Sequence, residues 1–166
     1  MPASQYPVVI AIFLALAEAM DLTSDPCQEY KAVESIHNCG STGYPIAYGL
    51  KNCESFGRTG TVRMGYFDEA SLKWINGTRQ CLLDAIHEIS RNPSISCSDL
   101  EVQAFDSHVP CYVDHGFCNV VCQAFHGLLH TYDYRDFLRL LSIKNAIGVM
   151  KGCLERSELC NFKLWS

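Results

Sequence analysis

The stretch DEASLKWINGTRQCLLDAIHEIS, residues 68–90, decides the architecture. Asp68 is of the type that caps a helix N-terminus. Behind it Leu72, Ile75, Leu82, Leu83, Ile86 and Ile89 gather within about 120° of helical arc. Trp74 and Cys81 fall on the opposite side. An apolar stripe on one face, with an indole and a thiol on the other, describes a helix sandwiched between neighbours. Asn92-Pro93 ends it, because the residue before a proline is driven out of the helical region.

Working outward, the flanking segments also read as helices. Asp25-Pro26 forms an N-cap and first-position pair with Gln28 at the reach-back position, and Gly40 lies past the far end. Between them Tyr30, Val33 and Ile36 or His37 recur at helical spacing. A short helix is expected from Pro45 to near Gly57, with Leu50, Cys53 and Phe56 facing inward. Arg58 to Gly65 carries two glycines among polar residues and reads as a loop. Ser98-x-x-Glu101 has the form of a capping box, opening a helix that carries Leu100, Ala104 and Phe105 and that Pro110 kinks or ends. From Asn119 onward Val120, Val121, Phe125, Leu128, Leu129 and Tyr132 continue the pattern. After a break near Tyr132-Asp133 comes a run of Phe137, Leu138, Leu140, Leu141, Ile143, Ile147, Val149 and Met150. No strand-like alternation exceeds four residues, and no repeat or low-complexity segment occurs. The fold class is all-α, one cross-linked domain.

The N-terminus carries an apolar run from Val8 to Leu16, then Ala17-Glu18-Ala19, the small-x-small form at which signal peptidase cuts. Residues 1–19 are therefore expected to be a signal peptide, although no Lys or Arg stands in Met1–Pro7. Nine apolar residues are too few for a membrane anchor, which needs about 20. The expected domain is residues 20–166, a length able to bury a core. The net charge of −5 becomes −4 once Glu18 leaves. Mild acidity without a basic run argues against nucleic acid or anionic membrane as partner. The ten cysteines, behind such a leader, are expected as disulfides of a secreted protein rather than as metal ligands.

Their spacing is specific. Cys81 to Cys97 is 16 positions, then 14 to Cys111, 7 to Cys118 and 35 to Cys153. With Cys53-Glu-Ser-Phe56, and with Cys111-Tyr112 followed by five residues before Cys118, the chain resembles the stanniocalcins, secreted glycoprotein hormones, from about Cys39 to Cys153. The resemblance implies the pairs Cys27–Cys53, Cys39–Cys97, Cys81–Cys111 and Cys118–Cys153. Cys122 and Cys160 have no counterpart there, and their simplest fate is a fifth bridge with each other. The interval from Cys53 to Cys81 is shorter than in that family. The family's dimer-linking cysteine lies in a tail without counterpart here, so a homodimer would rest on an apolar interface.

Several smaller motifs carry candidate chemistry. Asn76-Gly77-Thr78 is a glycosylation sequon at the flank of the 68–90 stripe, where a glycan would reach solvent. His126 and His130 stand at i and i+4, a spacing that can hold zinc, with Asp133 and Asp136 nearby. No Glu follows the first His as metalloprotease chemistry requires, so no metal site is assigned. Cys111-Tyr112-Val-Asp114-His115-Gly-Phe-Cys118 echoes the His and Asp of disulfide-rich phospholipases, but in reversed order and without an adjacent cysteine pair. Asp106-Ser107-His108 sets a nucleophile beside a base, yet helical neighbours point about 100° apart. No oxygen-rich calcium loop occurs. No residue is assigned to catalysis and no cofactor is expected.

The function expected is a secreted, hormone-like ligand for a protein receptor or extracellular target, with calcium and phosphate balance as the theme that the resemblance implies. The alternatives are an inhibitor of an extracellular metalloproteinase, also implied by the resemblance, and a small secreted esterase or phospholipase. Arg58 and Arg63, in the expected 58–65 loop, are the candidate partner-binding residues.

Overall fold

The structure, a computed structural model, describes residues 25–59 and 65–156. Eight α-helices are described: α1 Gln28–His37, α2 Lys51–Thr59, α3 Glu69–Ser90, α4 Cys97–Asp106, α5 His108–Asp114, α6 Phe117–Thr131, α7 Tyr134–Phe137 and α8 Leu140–Glu155. A π-helical segment, Pro45–Leu50, leads into α2. No strand occurs among the described residues, so the class is all-α. The expected leader, 1–19, lies outside them.

Helix α3 is the spine, in contact with α1, α4, α5 and α6. Asp68 caps it, its Oδ1 accepting from the Ser71 N–H at 2.8 Å. Its first half sends Trp74 and Ile75 into one apolar cluster with Phe67, Phe117, Ala124 and Val149. Its second half sends Leu83 and Ile86 into another with Tyr30, Val33, Leu100 and Phe105. A polar strip that includes Lys73, Asn76, Gln80, Asp84 and His87 stays exposed. Each buried Ile or Leu contributes about 1.5–3 kcal/mol, so both clusters depend on this one helix.

Four disulfides tie the helices in pairs. Cys27–Cys53 joins the head of α1 to α2, and Cys39–Cys97 joins the stretch after α1 to α4. Cys81–Cys111 fixes α3 to α5, and Cys118–Cys153 fixes α6 to α8. These are the four pairs that the resemblance implies. Cys122 is disulfide-bonded as well; the partner expected for it, Cys160, lies outside the described residues.

Several local expectations need correction. Helix α1 opens at Gln28 rather than at Pro26; Asp25 still serves its first turn, accepting from the Cys27 N–H and from Gln28 Nε2. It closes at Asn38, which takes the left-handed conformation (φ 51°) before Gly40 does. Of Ile36 and His37, the isoleucine is exposed and His37 turns in, Nε2 lying 3.1 Å from the Ser90 carbonyl. The segment after Pro45 is π-helical first, which brings Tyr44, Pro45, Tyr48 and Gly49 inside. The capping box of α4 is Ser96-x-x-Asp99, two residues before the expected one. Ser96 Oγ accepts from the Asp99 N–H and donates to its carboxylate, which leaves Cys97 at the first helical position. Pro110 ends nothing: it sits in the first turn of α5, where backbone N–H groups lack intrahelical partners.

Helix α6 passes close to the 65–67 segment at Gly127. A Cβ there would lie 2.5 Å from the Phe67 ring and 2.6 Å from the Tyr66 carbonyl oxygen. Because one neighbour is backbone, Gly127→Ala is expected to lower stability by about 1–3 kcal/mol, read from the denaturant midpoint of the oxidised protein. An unchanged midpoint would contradict this packing.

Candidate binding groove

Between α6 and α8, which the Cys118–Cys153 bridge holds together, opens a groove of about 290 Å³. Its walls are apolar: Val121, Phe125, Leu128 and Leu129 from α6, and Ala146, Val149 and Met150 from α8. Tyr112, Phe117 and Tyr132 also line it. The Tyr112 and Tyr132 hydroxyls hydrogen-bond to one another. Polar groups are few. Asp136 is buried, and its Oδ2 accepts from Lys51 Nζ at 3.1 Å and from Asn52 Nδ2 at 3.4 Å. Asn145 is more than nine-tenths buried, and its Nδ2 has no hydrogen-bond acceptor among the described residues.

His108 closes the inner side. Burial pushes its pKa down to about 4, against the pull of backbone carbonyls, so the ring is neutral at physiological pH. Its Nδ1 lies 2.8 Å from the Ala104 carbonyl and donates to it in the matching tautomer. The ring stacks on Phe105 and Tyr112. Through these contacts an aromatic seam runs from Tyr30, Tyr44 and Tyr48 to Trp74 and Phe117, joining the two apolar clusters.

Beside the groove, α8 carries a second apolar surface. Asn145, Val149 and Cys153 form its buried stripe. Leu140, Ile143, Ile147 and Leu154 lie roughly opposite at 100° per residue and are exposed. The sequence held a signal for this, since α8 is apolar on more than one face. The groove had none, because it depends on how α6 and α8 are set against each other.

The residues singled out in the sequence are scattered. Arg58 lies in the last turn of α2, not in a loop, exposed and paired with Glu54 at 3.5 Å. The helix runs past Gly57 to Thr59, and Gly57 sits close to the Arg79 guanidinium: a Cβ there would lie 3.2 Å from Arg79 Nη2. Arg63 lies outside the described residues. Asn76 is exposed, while the Thr78 hydroxyl of the same sequon is buried and donates to the Cys111 carbonyl at 3.3 Å. His126 and His130 are exposed, their Nε2 atoms 3.3 Å apart, with His130 stacked on Tyr66. Asp133 and Asp136 turn instead to Lys51, at 2.8 and 3.1 Å. No group of three or more metal-ligating side chains is gathered among the described residues. Asp114 pairs with Arg156, and His115 packs on Gly77. Asp106 pairs with Lys144, while Ser107 Oγ donates to the Ala104 carbonyl. No helix among the described residues is long and apolar enough to cross a membrane.

No protein-family profile, curated protein or solved structure matches the chain.

His108 makes stability depend on pH. The unfolded imidazole takes up a proton near pH 6.5, the folded one only near 4, so the unfolded state binds more protons between these values. This contribution is complete above pH 6.5 and falls by about 3 kcal/mol as the pH drops to 4. The stability advantage of the native protein over His108→Phe is therefore expected to shrink between pH 7 and pH 4 in guanidinium titrations. An advantage that does not change with pH would contradict the buried neutral ring.

Proposed function

We propose that this protein is a secreted, hormone-like binding protein of the stanniocalcin kind, which acts by contact with a protein receptor or extracellular target. The observation that carries the reading is the second apolar stripe of α8, Leu140, Ile143, Ile147 and Leu154, held in water on a cross-linked body. Exposed apolar area of this kind, bordered by charges such as Lys144 and Lys151, marks contact surfaces on folded proteins. The bridges supply preorganisation, so binding costs little conformational entropy. The same bridges support an extracellular site of action, since disulfides persist in oxidising compartments. The cysteine spacing supports the family theme of calcium and phosphate balance.

Affinity capture from extracellular fluid, with the oxidised protein as bait and the partner identified by mass spectrometry, tests this. The double variant Leu140→Glu/Ile147→Glu is expected to lose the partner by about tenfold or more without loss of helicity. Equal capture by native and variant protein would overturn the reading. A proteinase as the captured partner would favour the inhibitor over the receptor ligand.

Asn76 is the proposed glycan site, on the exposed strip of α3. Secreted material is expected to lose mass on amidase treatment, and Asn76→Gln material to show no such loss. Native protein with unchanged mass would remove the glycan from the account.

A further inference from the structure

We propose that the groove between α6 and α8 is a binding site for a neutral single-chain lipid, whose head-group oxygen accepts a hydrogen bond from Asn145 Nδ2. This inference goes beyond the protein-contact reading and does not depend on it.

The dimensions are those of a small-ligand site. An apolar cavity of about 150 Å³ stays dry and takes up benzene; this groove is about 290 Å³. Phe125, Leu129 and Met150 stand at its rim, where they are exposed, and Val121, Leu128 and Val149 lie deeper. Such a lining suits an acyl chain. Ligand sites of this class combine apolar walls with a few polar groups that fix orientation.

The head group follows from the polar lining. Asn145 is more than nine-tenths buried and holds a donor that no described residue satisfies. An unmet buried donor is costly, and an acceptor oxygen supplied by a ligand removes that cost. Asp136 is the one carboxylate in the lining, and no lysine or arginine lines it; His108 is kept neutral by burial. An anionic head would meet Asp136, which shares the single Lys51 ammonium with Asp133, so these three charged groups together remain net negative. A cationic head would find Asp136 Oδ2 already engaged by Lys51 and Asn52. A hydroxyl or ester oxygen fits.

The test titrates monododecanoyl glycerol, dodecanoate and dodecyltrimethylammonium, each below its micelle concentration, into the oxidised full-length protein by calorimetry, with native mass spectrometry for stoichiometry. The expected result is one equivalent of the monoglyceride, bound at least tenfold more tightly than either charged amphiphile. Removing two carbons should weaken it by on the order of tenfold. Ala146→Trp and, as a second variant, Phe125→Arg should each abolish binding with helicity kept. Asn145→Leu should weaken the monoglyceride several-fold through loss of the donor, and Leu140→Glu/Ile147→Glu should leave binding unchanged. Several equivalents bound, or loss only in the Leu140→Glu/Ile147→Glu variant, would mean adsorption on the outer face and overturn the proposal. So would a preference for either charged amphiphile. Binding that appears only after deletion of residues 161–166 would give the groove to the chain's own end, and also overturn it.

Discussion

The Glu69–Ser90 helix serves two apolar clusters at once, and the rest of the structure depends on that double burial. Its first half packs through Trp74 and Ile75 against α6 and the 65–67 segment, and its second half through Leu83 and Ile86 against α1 and α4. About 33 Å of helix thus acts as a shared wall. Cys81–Cys111 locks its middle to α5. Arg79 reaches from the same helix to the Cys27–Cys53 bridge, its Nη2 3.3 Å from Cys27 Sγ. Burial lowers the pKa of that guanidinium.

An aromatic seam across the spine joins the two clusters. Phe105, His108 and Tyr112 stack in succession, and Tyr48 meets Phe105 at a tilt. Burial raises the phenol pKa values of Tyr44, Tyr112 and Tyr132, so these hydroxyls remain protonated donors. The seam ends at the groove, where Tyr112 and Tyr132 form part of the lining. A ligand there would contact the same rings that join the clusters.

What was legible in the sequence was what depends on local periodicity or on fixed spacing. The stripe of Leu72, Ile75, Leu83 and Ile86 marked α3, and the positions of Trp74 and Cys81 on the opposite side marked it as two-sided. The cysteine intervals carried the four pairs through resemblance. The π-helical turn after Pro45 was hidden because its hydrogen bonds skip one residue more than an α-helix and break the 3.6-residue period. Gly49 then sits against the Tyr30 ring, a close approach that only the tertiary structure creates. The capping box of α4 had two overlapping matches, Ser96 with Asp99 and Ser98 with Glu101, and spacing alone does not choose between them. The groove was invisible for a deeper reason: Asn145, Val121 and Met150 acquire their meaning only when α6 and α8 are placed side by side. The exposed stripe of α8 was present in the apolar run from Leu138 to Met150, but a run of apolar residues does not say which of them face water.

Native-state hydrogen exchange on the oxidised protein tests the shared-spine account most directly. The account predicts that amides around Ile75 and around Ile86 exchange together, at the slowest rate in the molecule, because neither cluster can open while the other keeps α3 folded. Fast exchange around Ile75 with full protection around Ile86, or the reverse, would show two independent halves and contradict it.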